Sequence, residues 1–153
     1  MIEIANVTEL RAYAGREIAI SDWFTVTQEQ IALFADVTDD HQWIHLDQAR
    51  AARESPYGTT IAHGFLSLAL IGALVRNAVS IGGQKLSVNY GLNRVRFTSA
   101  VPSGARIRGR VTPMRVEDVD GSASQVTWKI VVEREGAGKP CLVAEWIVRY
   151  YGA

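Results

Sequence analysis

The sequence predicts an α+β domain in which a long antiparallel sheet packs against a single buried helix. Two observations carry this expectation. Residues 65–79, FLSLALIGALVRNAV, are apolar on nearly every side, as in a helix without a solvent face. Further along, the hydrophobic period changes to two: Val126, Trp128, Ile130 and Val132 share one face of one segment. Leu142, Ala144, Trp146, Val148 and Tyr150 do the same in the next. Consecutive long strands of this kind pair antiparallel, and their apolar face needs a helix to cover it. A long sheet wrapped around one central helix is the hot-dog arrangement.

The remaining elements follow in order. Thr8 precedes ELRAYAG, a short helix closed by Gly15. Residues 17–26 read as extended. Thr27 with Gln30 three positions later makes a capping box that opens QEQIALFADV. After a polar loop, Asp47 can cap QARAARE. The proline and two glycines of SPYGTTIAHG (55–64) mark a loop that leads into the apolar helix. LSVNYGLNRVRFTS and ARIRGRVTPMRVE complete a set of four long strands, with Pro113 implying a bulge or an edge. No linker, repeat or low-complexity stretch interrupts residues 1–153, which read as one domain.

Composition narrows the function. Sixteen basic and sixteen acidic residues cancel, so there is no electrostatic footprint for nucleic acid. The single cysteine, Cys141, lies in an apolar run and reads as a small core residue, which suits a reducing cytoplasm. The N-terminal stretch lacks the basic and apolar regions of a signal peptide. GFLSLALIGALV is too short to span a membrane. A soluble cytoplasmic protein is expected.

The chemistry concentrates in TDDHQWIHLD, residues 38–47. His41 and His45 stand four apart, the spacing of a zinc-binding helix motif, but Gln42 occupies the position of its general base, where an amide cannot serve. No third histidine follows at useful spacing, so a metal is disfavoured. A solvated loop with turn-forming Asp39 and Asp47 is the plainer alternative. It leaves Trp43 and Ile44 unexplained. These would draw the loop inward and set His45 against apolar surface, where a histidine needs a partner. Asp40, across a turn, could supply one, and the pair could then do acid–base work.

FADVTDDHQWIH resembles the hydratase-2 motif of MaoC-like enoyl-CoA hydratases, whose core reads Gly-Asp-x-Asn-Pro-x-His. Asp40 and His45 fall on its aspartate and histidine, while Asp39, Gln42 and Trp43 replace its glycine, asparagine and proline. The Asp-His-Gln-x-Ile-His form is similar to the branch related to nodulation protein N. GTTIAHG resembles the family's His-Gly signature at the start of the central helix, and NYGLNRVRFTSAV the strand after it. The resemblance implies a hot-dog (R)-specific enoyl-CoA hydratase, or 3-hydroxyacyl thioester dehydratase in reverse, acting on coenzyme A or acyl-carrier-protein thioesters. It implies no metal or redox cofactor, and a homodimer with a continuous sheet and a pocket at the junction.

In that reaction Asp40 and His45 would grip one water, accepting its proton and returning one to C2. The Gly64 amide, unpaired at a helix start and free of side-chain bulk, could stabilise enolate charge on the thioester oxygen, although Gly64 could equally permit tight packing there. Gln42 and His63 are supporting residues of the pocket. Arg94, Arg96, Arg106, Arg108 and Arg110 could meet coenzyme A phosphates, or simply form the solvent face of strands. Tyr57 could line an acyl tunnel or fill core, and Ser67 is expected to bond a backbone carbonyl. Two rivals remain: a hot-dog thioesterase, with a carboxylate activating water against the carbonyl carbon, and a non-catalytic acyl-thioester-binding module.

Overall fold

Four long strands build the sheet that the period-two segments predict. The computed structural model describes residues 1–119, 121 and 123–152. β1 (Ile2–Ile4) leads into a 3-10 helix (Val7–Tyr13), then β2 (Ala19–Ile20) and β3 (Phe24–Thr25). α1 (Gln28–Thr38), α2 (Trp43–Leu46), α3 (Gln48–Glu54) and α4 (Gly64–Ala78) follow. β4 (Val79–Ile81) precedes β5 (Gln84–Phe97), β6 (Arg106–Val119), β7 (Ala123–Arg134) and β8 (Leu142–Gly152). The sheet order is β2-β6-β7-β8-β5, with β3 also on β6, and every pairing in it is antiparallel. β1 and β4 form a separate parallel pair.

α4 lies in the curve of this sheet, giving the hot-dog arrangement. Leu66, Ile71, Leu74, Val75 and Ala78 meet Ile107, Val111, Trp128, Ile130 and Leu142 in one core. Gly109 in β6 allows the approach: a Cβ there would stand 3.2 Å from Leu74 Cβ. All four residues expected on the inner face of β7 are fully buried. Trp128 Nε1 donates to Tyr150 Oη at 3.1 Å, satisfying the one polar handle of the largest core side chain. Pro113 does mark a bulge, where the β6–β7 register slips between Pro113 and Arg115. Cys141 is buried and its thiol pKa is pushed up to about 11 by burial. No described helix is long and apolar enough to cross a membrane.

The local chemistry departs from expectation at several points. The first helix is 3-10 and is capped by Asn6, whose side chain accepts from the Glu9 amide; Thr8 lies inside it. Residues 17–26 pair with β6 only at Ala19–Ile20 and Phe24–Thr25. The capping box of Thr27 and Gln30 and the Asp47 cap on Arg50 form as expected. α4 is not buried on every side: Phe65, Ala69 and Arg76 are exposed along one face. Arg106, Arg108 and Arg110 pair with Glu135, Glu133 and Glu17 on the sheet surface, so they are strand-face ion pairs. Tyr57 is 49% exposed, so it does not fill core. Ser67 is buried, but among the described residues its hydroxyl bonds no carbonyl.

Candidate active site

The site forms where the end of α1, the short α2 and the start of α4 converge. Asp39 closes α1 in the left-handed conformation (φ 56°), and the chain turns so that Asp40 and then α2 come back across it. One turn of helix suffices to bury His45, because Trp43 and Ile44 bring apolar surface with them. The Trp43 ring is roofed by the Arg50 guanidinium at 4.2 Å.

His45 does not take Asp40 as its hydrogen-bond partner. Its Nδ1–H donates to the Ile61 carbonyl at 2.7 Å, an acceptor supplied by the loop before α4. That bond sets the tautomer and leaves Nε2 as the free lone pair. Burial first, and nearby His63 in part, hold the His45 pKa below the ordinary 6.5, against the Ile61 bond and Asp40, which raise it. The imidazole is therefore neutral, and a base, at neutral pH.

His63 lies against both His45 and Asp40. Its ring stacks on His45 with centroids 3.8 Å apart and planes at 25°, and Phe34 closes its other flank at 5.1 Å. Its Nε2–H donates to the Asp40 main-chain carbonyl at 3.0 Å and stands 3.9 Å from the Asp40 carboxylate. His63 Nδ1 is buried and has no partner among the described residues. Asp40, His45 and His63 thus bring one polar atom each within 4.8 Å of one another, with the Asp40 carboxylate half open to solvent.

Such a set could approach an ion or hold a water. The His41–His45 ligand pair does not form. His41 lies outside α2 and bonds Asp36 at 2.9 Å on the surface, which raises its pKa. Gln42 is exposed and makes no cap hydrogen bond.

Gly64 is the first residue of α4, so its amide has no acceptor within the helix. A Cβ there would come within 3.1–3.2 Å of the Phe97 ring. The glycine therefore lies against an aromatic wall, and both the packing and the oxyanion readings find support. Beside this helix start a cavity of about 760 Å³ runs along α4, from Phe34 and Phe65 to Arg76, against β5 and β8.

Two residues that sequence reasoning missed hold the site together. Gln28, at the start of α1, donates from Nε2 to the His45 carbonyl at 2.8 Å. Fully buried Thr60 donates to Gln28 Oε1 at 2.6 Å. The amide thus ties the turn carrying His45 to the loop that supplies its Nδ1 acceptor. Gln28 and Thr60 lie 32 residues apart, and no sequence pattern announces their meeting.

Comparisons with known proteins bear on the family and the fold. Residues 9–135 match the MaoC like domain. The chain is 51% identical over 145 residues to 3-hydroxyacyl-thioester dehydratase Z of Mycobacterium tuberculosis, covering 95% of each protein. It is 43% identical over 143 residues to nodulation protein N of Rhizobium leguminosarum bv. viciae, covering 93% of this chain and 89% of that one. An unliganded R-hydratase of Pseudomonas aeruginosa superposes with a TM-score of 0.71 at 24% identity, over 98% of this chain and 88% of that one, a likeness of fold. The match over most of its length and the half-identical relative place the chain in the MaoC-like family.

Proposed function

We propose that the protein is an (R)-specific enoyl-CoA hydratase, or in reverse a 3-hydroxyacyl thioester dehydratase. The convergence of Asp40, His45 and His63 beside the unpaired Gly64 amide carries this reading. Its thioester is held on coenzyme A or on an acyl carrier protein. Asp40 and neutral His45 grip one water. Its proton passes to the pair, its oxygen bonds to C3, and a proton returns from the pair to C2. Enolate charge gathers on the thioester oxygen, which the Gly64 amide and the positive end of α4 stabilise. His63 positions both partners, stacking on one and bonding the main chain of the other. Gln42, exposed just before α2, is assigned a supporting contact to substrate. The chemistry needs no metal and no redox cofactor.

The catalytic unit is the whole chain, 1–153, working as a homodimer in the cytoplasm. β5 supports the dimer: it is a fourteen-residue strand that, among the described residues, has a neighbour only on the β8 side, and Leu86, Val88 and Tyr90 stand exposed on it. Open edges of this length invite pairing with a second chain. Sedimentation showing only monomer at micromolar concentration would contradict this part.

Loss of the enoyl absorbance of crotonyl-CoA, run beside a free-thiol assay, tests the activity. Hydration without thiol release is expected. Thiol release would instead make the protein a thioesterase, and binding without turnover a non-catalytic thioester-binding module.

A further inference from the structure

The far end of the cavity along α4 carries chemistry that hydration does not use. Its helix wall is apolar, with Leu68, Ile71 and Val75, as a hydrocarbon chain requires. The wall on β5 is mixed. Ser87, Asn89, Gly91 and Leu92 line the cavity, with Ser87 and Asn89 exposed along it, and Leu86, Val88 and Tyr90 between them are exposed too. A cavity meant only for hydrocarbon would not set a serine and an asparagine along its wall.

Arg76 lies at this end. Its guanidinium folds back along the helix, so close to Gly72 that a Cβ there would stand 3.4 Å from Nη1. Among the described residues Arg76 has no carboxylate partner, whereas Arg106, Arg108 and Arg110 on the sheet surface each have one. Its place in the last turn of α4 suits a cation, because the helix dipole favours one. The dipole does not account for a guanidinium laid over a cavity wall.

The neighbouring groups add donors. Asn89 Oδ1 already accepts from Trp146 Nε1 at 3.1 Å, which leaves the Asn89 amide protons available. Tyr150 Oη accepts from Trp128, and its own proton meets no acceptor among the described residues. Gln84 donates to the Ile81 carbonyl, while its buried Oε1 meets no donor among the described residues.

We propose that this cavity receives an acyl chain ending in a carboxylate, with Arg76 as the counter-ion at its far end. The proposal rests on the thioester reading above and names its substrate class: 2-enoyl thioesters, or their 3-hydroxy forms, derived from dicarboxylic acids. The geometry sets the length. Gly72 lies eight residues beyond Gly64, about 12 Å along the helix. An extended chain of C–C bonds advances about 1.25 Å per bond, so the second carboxylate belongs roughly eight to ten carbons from the thioester. A plain chain of that length would leave the guanidinium without its anion and gain nothing from the donors.

The test compares trans-2-decenoyl-CoA with its ω-carboxylated counterpart of equal length. The wild-type protein should hydrate the carboxylated thioester with a kcat/KM about 2- to 5-fold higher, the scale of an ion pair to an exposed guanidinium. Arg76→Met should bring the ratio of the two towards one, and Arg76→Glu should push it below one. Because the ratio is taken within one protein sample, a partly unfolded variant does not distort it. Equal wild-type rates, or a preference that survives in both variants, would overturn the Arg76 assignment and leave the hydration reading standing. Failure to hydrate either thioester, and crotonyl-CoA as well, would overturn the hydration reading and this inference with it.

Discussion

Adding one methyl group at the helix start distinguishes an oxyanion donor from a packing residue. In Gly64→Ala the new Cβ would meet three Phe97 ring carbons at 3.1–3.2 Å, a few tenths of an ångström too close. Phe97 is 47% exposed and touches Phe65 edge-on at 5.9 Å, so the ring can tilt away. Alanine is also the better helix residue, by about 1 kcal/mol. The two effects oppose, and the net change should stay within about 1 kcal/mol, or roughly 2–4 °C in Tm for a chain of this size. The catalytic effect is expected to be larger. A thioester oxygen kept from its amide donor loses about 2.7–4 kcal/mol of transition-state stabilisation, a fall in kcat of about 10²-fold or more. Charge builds on that oxygen only as the enolate forms, so kcat should fall more than KM rises. Steady-state hydration kinetics and thermal melts on the same sample provide both numbers. The double variant Gly64→Ala/Phe97→Ala removes the clash but not the methyl group. If it recovered wild-type kcat, or if Gly64→Ala raised only KM, the oxyanion assignment would fall and Gly64 would be a packing residue.

Thr60→Val removes the donor to Gln28 Oε1 in a fully buried position, which should cost about 1–3 kcal/mol. Tm should drop by roughly 2–12 °C, and kcat should fall with it because Gln28 holds the His45 carbonyl; unchanged melting and turnover would refute the link. The lowered His45 pKa sets a sign for pH dependence. The unfolded chain takes a proton near 6.5 that the folded chain resists, so this group's contribution to stability is lost as pH falls below 6.5. The acid limb of kcat/KM should likewise lie below 6.5, and a limb at or above it would contradict a neutral, buried base. Exhaustive chelation should leave activity unchanged, whereas loss on chelation with rescue by zinc would assign Asp40, His45 and His63 to a metal.

Legibility followed the range of the chemistry. Thr27 with Gln30, Asp47 with Arg50, and the bulge at Pro113 each depend on a few adjacent residues, and all were readable. The inward faces of β7 and β8 were readable too, because alternation encodes them directly. Asp40 and His45 could be picked out by their spacing and by the apolar pair between them. The partner of His45 could not, since the Ile61 carbonyl belongs to every residue type alike and arrives through the tertiary fold. The same holds for the Thr60–Gln28 link and for the stacking of His63 on His45. α4 shows another limit. Its composition calls for cover on all sides, but the chain leaves one face uncovered, and the exposed Phe65, Ala69 and Arg76 mark it. Apolarity states a demand for burial; it does not say which surface meets the demand.

The central claim is that Asp40 and His45 together move the proton in thioester hydration. The most direct measurement is the turnover of crotonyl-CoA by Asp40→Asn and by His45→Gln, each beside a melting curve. Asp40 is half exposed, so its replacement by the isosteric amide should leave the fold intact. Glutamine at position 45 keeps an amide N–H for the Ile61 carbonyl but no lone pair able to take a proton near neutral pH. Both variants should melt as folded proteins and lose about 10²-fold or more in kcat. Near-wild-type turnover in either would contradict the claim.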